Sequence, residues 1–173
     1  MLNSLPQNNN YTNFSSGTIL TLDFGSFLHY GIADGLGCVI HNSKKHKKVT
    51  RESYADFAEG KKIAVSAITS ANPAQAVVIA KQYLGKPYDL FSSNCEHFAR
   101  LCHGLKVEST QLQRHTLAAL GTGIAIKSDN PVIKATGVAV ALTSLLTPTE
   151  ESPLKNVAIV GIFAACIAAL AAA

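Results

Sequence analysis

Three residues have the chemistry of nucleophilic acyl transfer: Cys95 in "SSNCEHFARLCHG", His29 in "HYGIAD" and His41 closing "GCVIH". A thiolate is the attacking form of cysteine, and a neutral imidazole nearby can take its proton. Ser93-x-x-Glu96 has the spacing of a capping box, with Ser93 as N-cap and Glu96 at the third helical position. Cys95 then falls in the first turn, where unpaired N–H groups and the positive end of the helix dipole favour a thiolate. Cys102, deeper in the same helix beside Phe98 and Leu101, reads as a core residue. The other reading of Cys95 is a second buried sulfur of that kind.

The histidines depend on a hairpin. "DGLG" separates two apolar stretches and is a turn signal. A three-residue loop over 34–36 would pair 33 with 37, 31 with 39 and 29 with 41. His29 and His41 would then stand directly opposite on one face, with β-carbons about 4.5–5.5 Å apart. Gly31 and Ala33 would leave open space on that face, while Tyr30 and Ile32 pack on the other. A slip of one residue would send one imidazole to the opposite side. Taken alone, the hairpin is equally compatible with two unrelated strand histidines. Zinc is a poor competitor, because Cys95, His97, Cys102 and His103 match no structural-site spacing, and 95 and 97 point apart on a helix. No metal is expected.

Several elements must position these groups. "TILTLDF" (18–24) reads as a strand, with Leu20, Leu22 and Phe24 on one face. "RESYADFAEG" reads as a short helix ending at Gly60, and "KKIAVSAI" as another strand. Residues 72–85 form a helix, capped by Asn72, opened by Pro73 and ended by Gly85, burying Ala76, Val77, Ala80 and Leu84. The fold class is therefore α+β. The leader, residues 1–15, is rich in Asn and Ser, lacks a signal-peptide pattern and reads as flexible. Four cysteines without a CxxC pair, one of them in an apolar tail, argue for thiols in a reducing compartment.

Fifteen Lys and Arg against eleven Asp and Glu give a formal charge of +4. No aromatic residues interleave with the basic ones, so nucleic acid is not an expected partner. The run "SKKHKKVTR" places Lys44, Lys45, Lys47, Lys48 and Arg51 just after His41. It is either a solvated loop or a patch for anionic phospholipid, at about 1 kcal/mol per basic residue. From residue 116 the composition turns apolar and small, over 117–126, 135–146 and 157–173. Lys127, Asp129, Pro131 and Lys134 interrupt the first two runs, and the last has no charge and borders on spanning length. This tail is expected to insert into or lie on a membrane and to allow self-association. The competing reading is a helical hairpin packed on the preceding domain.

"SSGTILTL", "HYGIADGLGCVIH" and "AVVIAKQYLGKPYDLFSSNCEHFARLCHG" together resemble the lecithin–retinol acyltransferase and phospholipase A/acyltransferase family of thiol enzymes. The likeness covers roughly residues 16–105. It implies a circularly permuted NlpC/P60, papain-like domain over 16–115, with an antiparallel sheet and the nucleophile at a helix N-terminus, followed by the apolar tail 116–173. It further implies that Cys95 carries an acyl chain as a thioester, that His29 is its base and that His41 orients His29, without a cofactor. Water as acceptor gives phospholipase A-type hydrolysis, and an alcohol or amine gives acyl transfer. The hairpin tip lacks the family's aromatic and Gly-Asp-Gly, and the segment between His41 and Cys95 is short. Three apolar tail segments replace a single anchor, so acceptor choice does not carry over. The expected partner is a phospholipid membrane facing a reducing cytosol. Two alternatives remain: a cysteine peptidase or amidase on the same scaffold, and a non-catalytic protein that remodels bilayers.

Overall fold

The computed structural model describes residues 13–69, 72–87 and 95–171. In chain order its elements are β1 (Ile19–Asp23), β2 (Leu28–Ala33), β3 (Cys38–Ser43), β4 (Lys48–Ser53), α1 (Tyr54–Ala58) and β5 (Ile63–Val65), followed by α2 (Pro73–Gln82), α3 (Cys95–Cys102), α4 (Thr110–Lys127), α5 (Pro131–Leu146) and α6 (Leu154–Ala171). The five strands form one antiparallel sheet in the order β4-β3-β2-β1-β5. With its flanking helices this is the α+β architecture the sequence pattern implies.

Two compact units divide the chain, one ending at Glu108 and the other beginning at Ser109. The change of composition at 116 falls inside α4. In the first unit, strand alternation sends apolar side chains to both faces of the sheet. Ile32, Ile40 and Val49 meet Ala76, Val77 and Ala80 of α2 and Phe98 and Cys102 of α3. Leu20, Leu22, Ala33 and Val39 meet Tyr54 and Phe57 of α1. Burying one such side chain contributes about 1.5–3 kcal/mol. Gly31 belongs to this second face, and its α-hydrogen is required: an added β-carbon would lie 2.4 Å from Val39 Cγ1 and 2.9 Å from Phe57. The open space expected above Gly31 is thus filled by α1 and Val39.

Helix α2 begins as its sequence implies, with the Asn72 side chain accepting from the Gln75 N–H at 3.2 Å and Pro73 in the first turn. It ends earlier than expected, at Gln82, because Tyr83 and Leu84 close turns back onto Ala80 and Lys81. Leu84 is exposed in consequence, while Ala76, Val77 and Ala80 are buried.

In the second unit α4 and α5 cross at Gly121 and Gly137. A β-carbon on either would meet the other's carbonyl oxygen at 2.6 Å, so only glycine allows this approach. Arg114 ties α4 to the end of α5 by donating to the carbonyls of Ser144 (3.2 Å) and Leu145 (2.6 Å) and to Thr149 Oγ1 (3.0 Å). Ile159, Ile162, Phe163 and Ile167 of α6 are exposed. Among the described residues, no helix is long and apolar enough to cross a membrane.

Candidate active site

Asp34 sets the geometry of the β2–β3 hairpin. Its Oδ1 accepts from the N–H groups of Leu36 (2.7 Å) and Cys38 (3.0 Å), and its Oδ2 from Arg51 Nε (2.7 Å). A loop stapled in this way is longer than three residues, and the observed pairs are Ala33 with Val39 and Ile32 with Ile40. The register therefore differs by two from the pairing of 31 with 39. His29 and His41 are diagonal neighbours rather than direct opposites. An even shift keeps both on one face, and diagonal neighbours remain within reach of long side chains. His29 Nε2 and His41 Nδ1 are 2.8 Å apart, with the ring planes at 84°. Phe57 of α1 floors both rings, at 5.7 Å and 5.0 Å between centroids.

Beyond Ile32 the two strands part, β2 staying paired to β1 and β3 to β4. Antiparallel strands direct the backbone groups of alternate residues to opposite neighbours. Ala33 bonds toward β1 through both N–H and C=O, so Leu28, Tyr30 and Ile32 present theirs toward β3. Where the strands separate, Cys95 meets the Leu28 C=O and the Tyr30 N–H. Its thiol donates to the Leu28 carbonyl at 3.8 Å and its sulfur receives the backbone N–H of Tyr30. These two peptide groups flank His29. The sulfur is thus bound to the backbone on either side of that residue rather than to its ring.

Cys95 is the first residue of α3, and Ile19, Tyr30 and Ala99 enclose it. Ser93 and Asn94 lie outside the described residues, so the capping box is not described. Glu96 is fully buried and accepts from Arg100 Nε at 3.1 Å. Cys102 is a buried core residue, and all four cysteines are free thiols. No group of His, Cys, Asp and Glu among the described residues could hold a metal ion.

The electrostatics correct one expectation. A helix start was expected to favour the Cys95 thiolate, but burial pushes this thiol up to about 11, outweighing the N–H groups of Tyr30 and Glu96. Burial, reinforced by neighbouring His41, lowers His29 to about 3. Burial also lowers His41, although Glu52 pulls the other way. Near neutral pH the site holds a thiol and two neutral imidazoles, not a thiolate–imidazolium pair.

Two participants escaped the sequence reading. His41 Nε2 is 2.6 Å from Glu52 Oε2, and His46 Nε2 is 2.6 Å from Glu52 Oε1. Val39 pairs with Glu52 and His41 with Thr50, so Glu52 shares a face with His41 as its diagonal neighbour. The signal was the even spacing of Thr50 and Glu52 on a strand beside His41, hidden because 43–51 reads as a charged run and 51–60 as a short helix, whereas residues 48–53 form β4 and α1 covers only Tyr54–Ala58. Of that run, Lys44, Lys45, Lys47 and Lys48 are exposed around the β3–β4 turn, whereas Arg51 pairs with the buried Asp34 carboxylate.

A comparison with protein-family models matches residues 12–107 to the family described as lecithin retinol acyltransferase. No curated protein matches the chain.

Proposed function

Because the chain belongs to the lecithin retinol acyltransferase family, a group of acyl-transfer enzymes, we propose that it is a thiol acyltransferase or phospholipase A acting on phospholipid acyl esters. The observation that carries this reading is the Cys95 sulfur seated between the two peptide groups that flank His29, whose ring is hydrogen-bonded to His41. In the proposed reaction Cys95 Sγ attacks the ester carbonyl carbon while His29 takes the thiol proton. The tetrahedral adduct collapses, its C–O bond breaks, and the lysophospholipid leaves with that proton. Water, an alcohol or an amine then attacks the thioester, giving up its proton through His29, and Sγ is released as the thiol. His41 orients the base and contributes no proton of its own.

Membrane attachment is the second part of the proposal. Lys44, Lys45 and Lys47 on the β3–β4 turn and Lys48 at the start of β4 stand exposed, suited to anionic headgroups. The exposed Ile159, Ile162, Phe163 and Ile167 of α6 suit a lipid surface or a second copy of the chain. Four free thiols fit the reducing side of such a membrane.

The test incubates the full chain and Cys95→Ser with phosphatidylcholine vesicles, with and without anionic lipid and an amine acceptor. Free fatty acid or N-acyl product that vanishes with the substitution supports the proposal. Cleavage of peptide bonds instead would favour a peptidase or amidase. Vesicle leakage untouched by Cys95→Ser, without acyl products, would favour a non-catalytic membrane protein.

A further inference from the structure

The Glu52 carboxylate touches neither Cys95 nor His29, yet it ends a chain of short contacts that begins at the base. Its two oxygens meet His41 Nε2 and His46 Nε2, each at 2.6 Å, and its side chain is largely buried. An ionised carboxylate only accepts hydrogen bonds, so both imidazole nitrogens must present N–H to it. A neutral His41 protonated at Nε2 has its lone pair at Nδ1. That nitrogen lies 2.8 Å from His29 Nε2, which must in turn be the donor. A neutral His29 protonated at Nε2 keeps its lone pair at Nδ1. Each assignment forces the next, and only the first is set by a group without freedom of its own.

We infer that Glu52 is a positioning residue that fixes the direction of the His29–His41 hydrogen bond, so that the lone pair of the base is held at His29 Nδ1. The inference rests on the proposed role of His29 as the base of Cys95. Without the carboxylate, His41 could carry its proton on Nδ1 and donate to His29 Nε2. His29 would then bear its proton at Nδ1, and the nitrogen left to accept the thiol proton would already be spent on His41. The chain of contacts thus couples a residue on β4 to the protonation site on β2 through two hydrogen bonds. His46 completes the arrangement by engaging the second oxygen, which stops the carboxylate from rotating away. The other charged group that acts on His41 is Glu59, at the end of α1, and it makes no hydrogen bond to the ring.

The experiment uses the full chain labelled with nitrogen-15, in wild-type, Glu52→Ala and Glu52→Gln forms. Long-range proton–nitrogen NMR spectra read the tautomer of each histidine, and steady-state kinetics use a short soluble ester. In the wild type, His41 and His29 are expected as Nε2–H tautomers. In Glu52→Ala the His41 signal should become a mixture of both tautomers. A positioned general base contributes about 10²–10⁴-fold, so kcat should fall about 10²-fold while KM holds. Glu52→Gln retains one acceptor oxygen, so it should keep the wild-type His41 tautomer and restore part of kcat. It also serves where Glu52→Ala does not fold. Unchanged tautomers in Glu52→Ala, or a Glu52→Gln protein no better than Glu52→Ala in both readouts, would overturn the inference. A wild type without esterase activity but with the expected tautomers, lost in Glu52→Ala, would uphold the hydrogen-bond assignment and sink the role of His29 as base.

Discussion

Acidification should destabilise this protein through His29, and the structure gives the sign and the scale. The ring is held neutral in the fold because burial and the adjacent His41 lower its pKa from 6.5 to about 3. The unfolded chain therefore binds a proton that the folded chain refuses throughout that interval. Stability from this group is fully present above the unfolded value of 6.5 and is lost as pH falls toward 3. At about 1.4 kcal/mol per pKa unit, the shift corresponds to an upper limit of roughly 5 kcal/mol. His29 keeps part of its surface in contact with solvent, and screening reduces that limit. Moving from roughly pH 7.5 to roughly pH 5 should then cost about 1–2 kcal/mol through this residue. His29→Gln retains a donor for His41 Nδ1 and removes the titration. It also frees His41, beside Glu52, to accept a proton in the folded state, which changes the slope in the same direction. Urea unfolding of both proteins at the two pH values measures the difference. Equal pH dependence in wild type and His29→Gln would refute the argument that these imidazoles are forced neutral.

The Cys95 thiol, pushed up to about 11, should be alkylated by iodoacetamide at neutral pH about a hundredfold more slowly than an ordinary thiol, as read by peptide mass spectrometry. Labelling of Cys95 ahead of the exposed Cys166 would contradict its burial. Gly31→Ala drives a methyl group into Val39 and Phe57 and should cost about 1–3 kcal/mol in chemical denaturation, with no change in substrate range. Gly137→Val should force α4 from α5 and lower the thermal midpoint of the second unit, which differential scanning calorimetry would show; an unchanged midpoint would mean that the crossing at Gly121 is not close.

Local signals made most of the first unit legible. Strand alternation in 18–24, the turn residues after Ala33 and the Asn72–Pro73 start of α2 each have a short-range cause, and the corresponding elements are present. The hairpin register was not legible in that way. It depends on Asp34 reaching three partners, one of them Arg51 on a strand that arrives seventeen residues later in the chain. Charge alone placed Arg51 in either a solvated loop or a lipid-facing patch and gave no sign of this pairing. The same limit hid Glu52. Its neighbours in sequence are Arg51 and Ser53, but its neighbours in space are two imidazoles brought by β3 and by the β3–β4 turn.

The resting state of Cys95 shows why residue type and helix position do not settle reactivity. A helix start favours a thiolate by a dipole effect of about 0.3–1 kcal/mol, whereas removing a charge from water costs several times more. When β2 and β3 part, the sulfur enters the sheet, gains the Leu28 carbonyl as an acceptor and loses contact with solvent. A carbonyl partner stabilises the S–H form, so geometry and burial act in the same direction. In the proposed reaction the attacking sulfur gives up that carbonyl at the moment His29 takes the proton. The charge then develops only inside a site already occupied by substrate. A thiol held neutral until an ester is bound is protected from oxidation and from stray electrophiles, since only the thiolate reacts quickly with either. The direction inferred for the His29–His41–Glu52 chain matters most under that arrangement, because no ion pair exists beforehand to hold the proposed base in place.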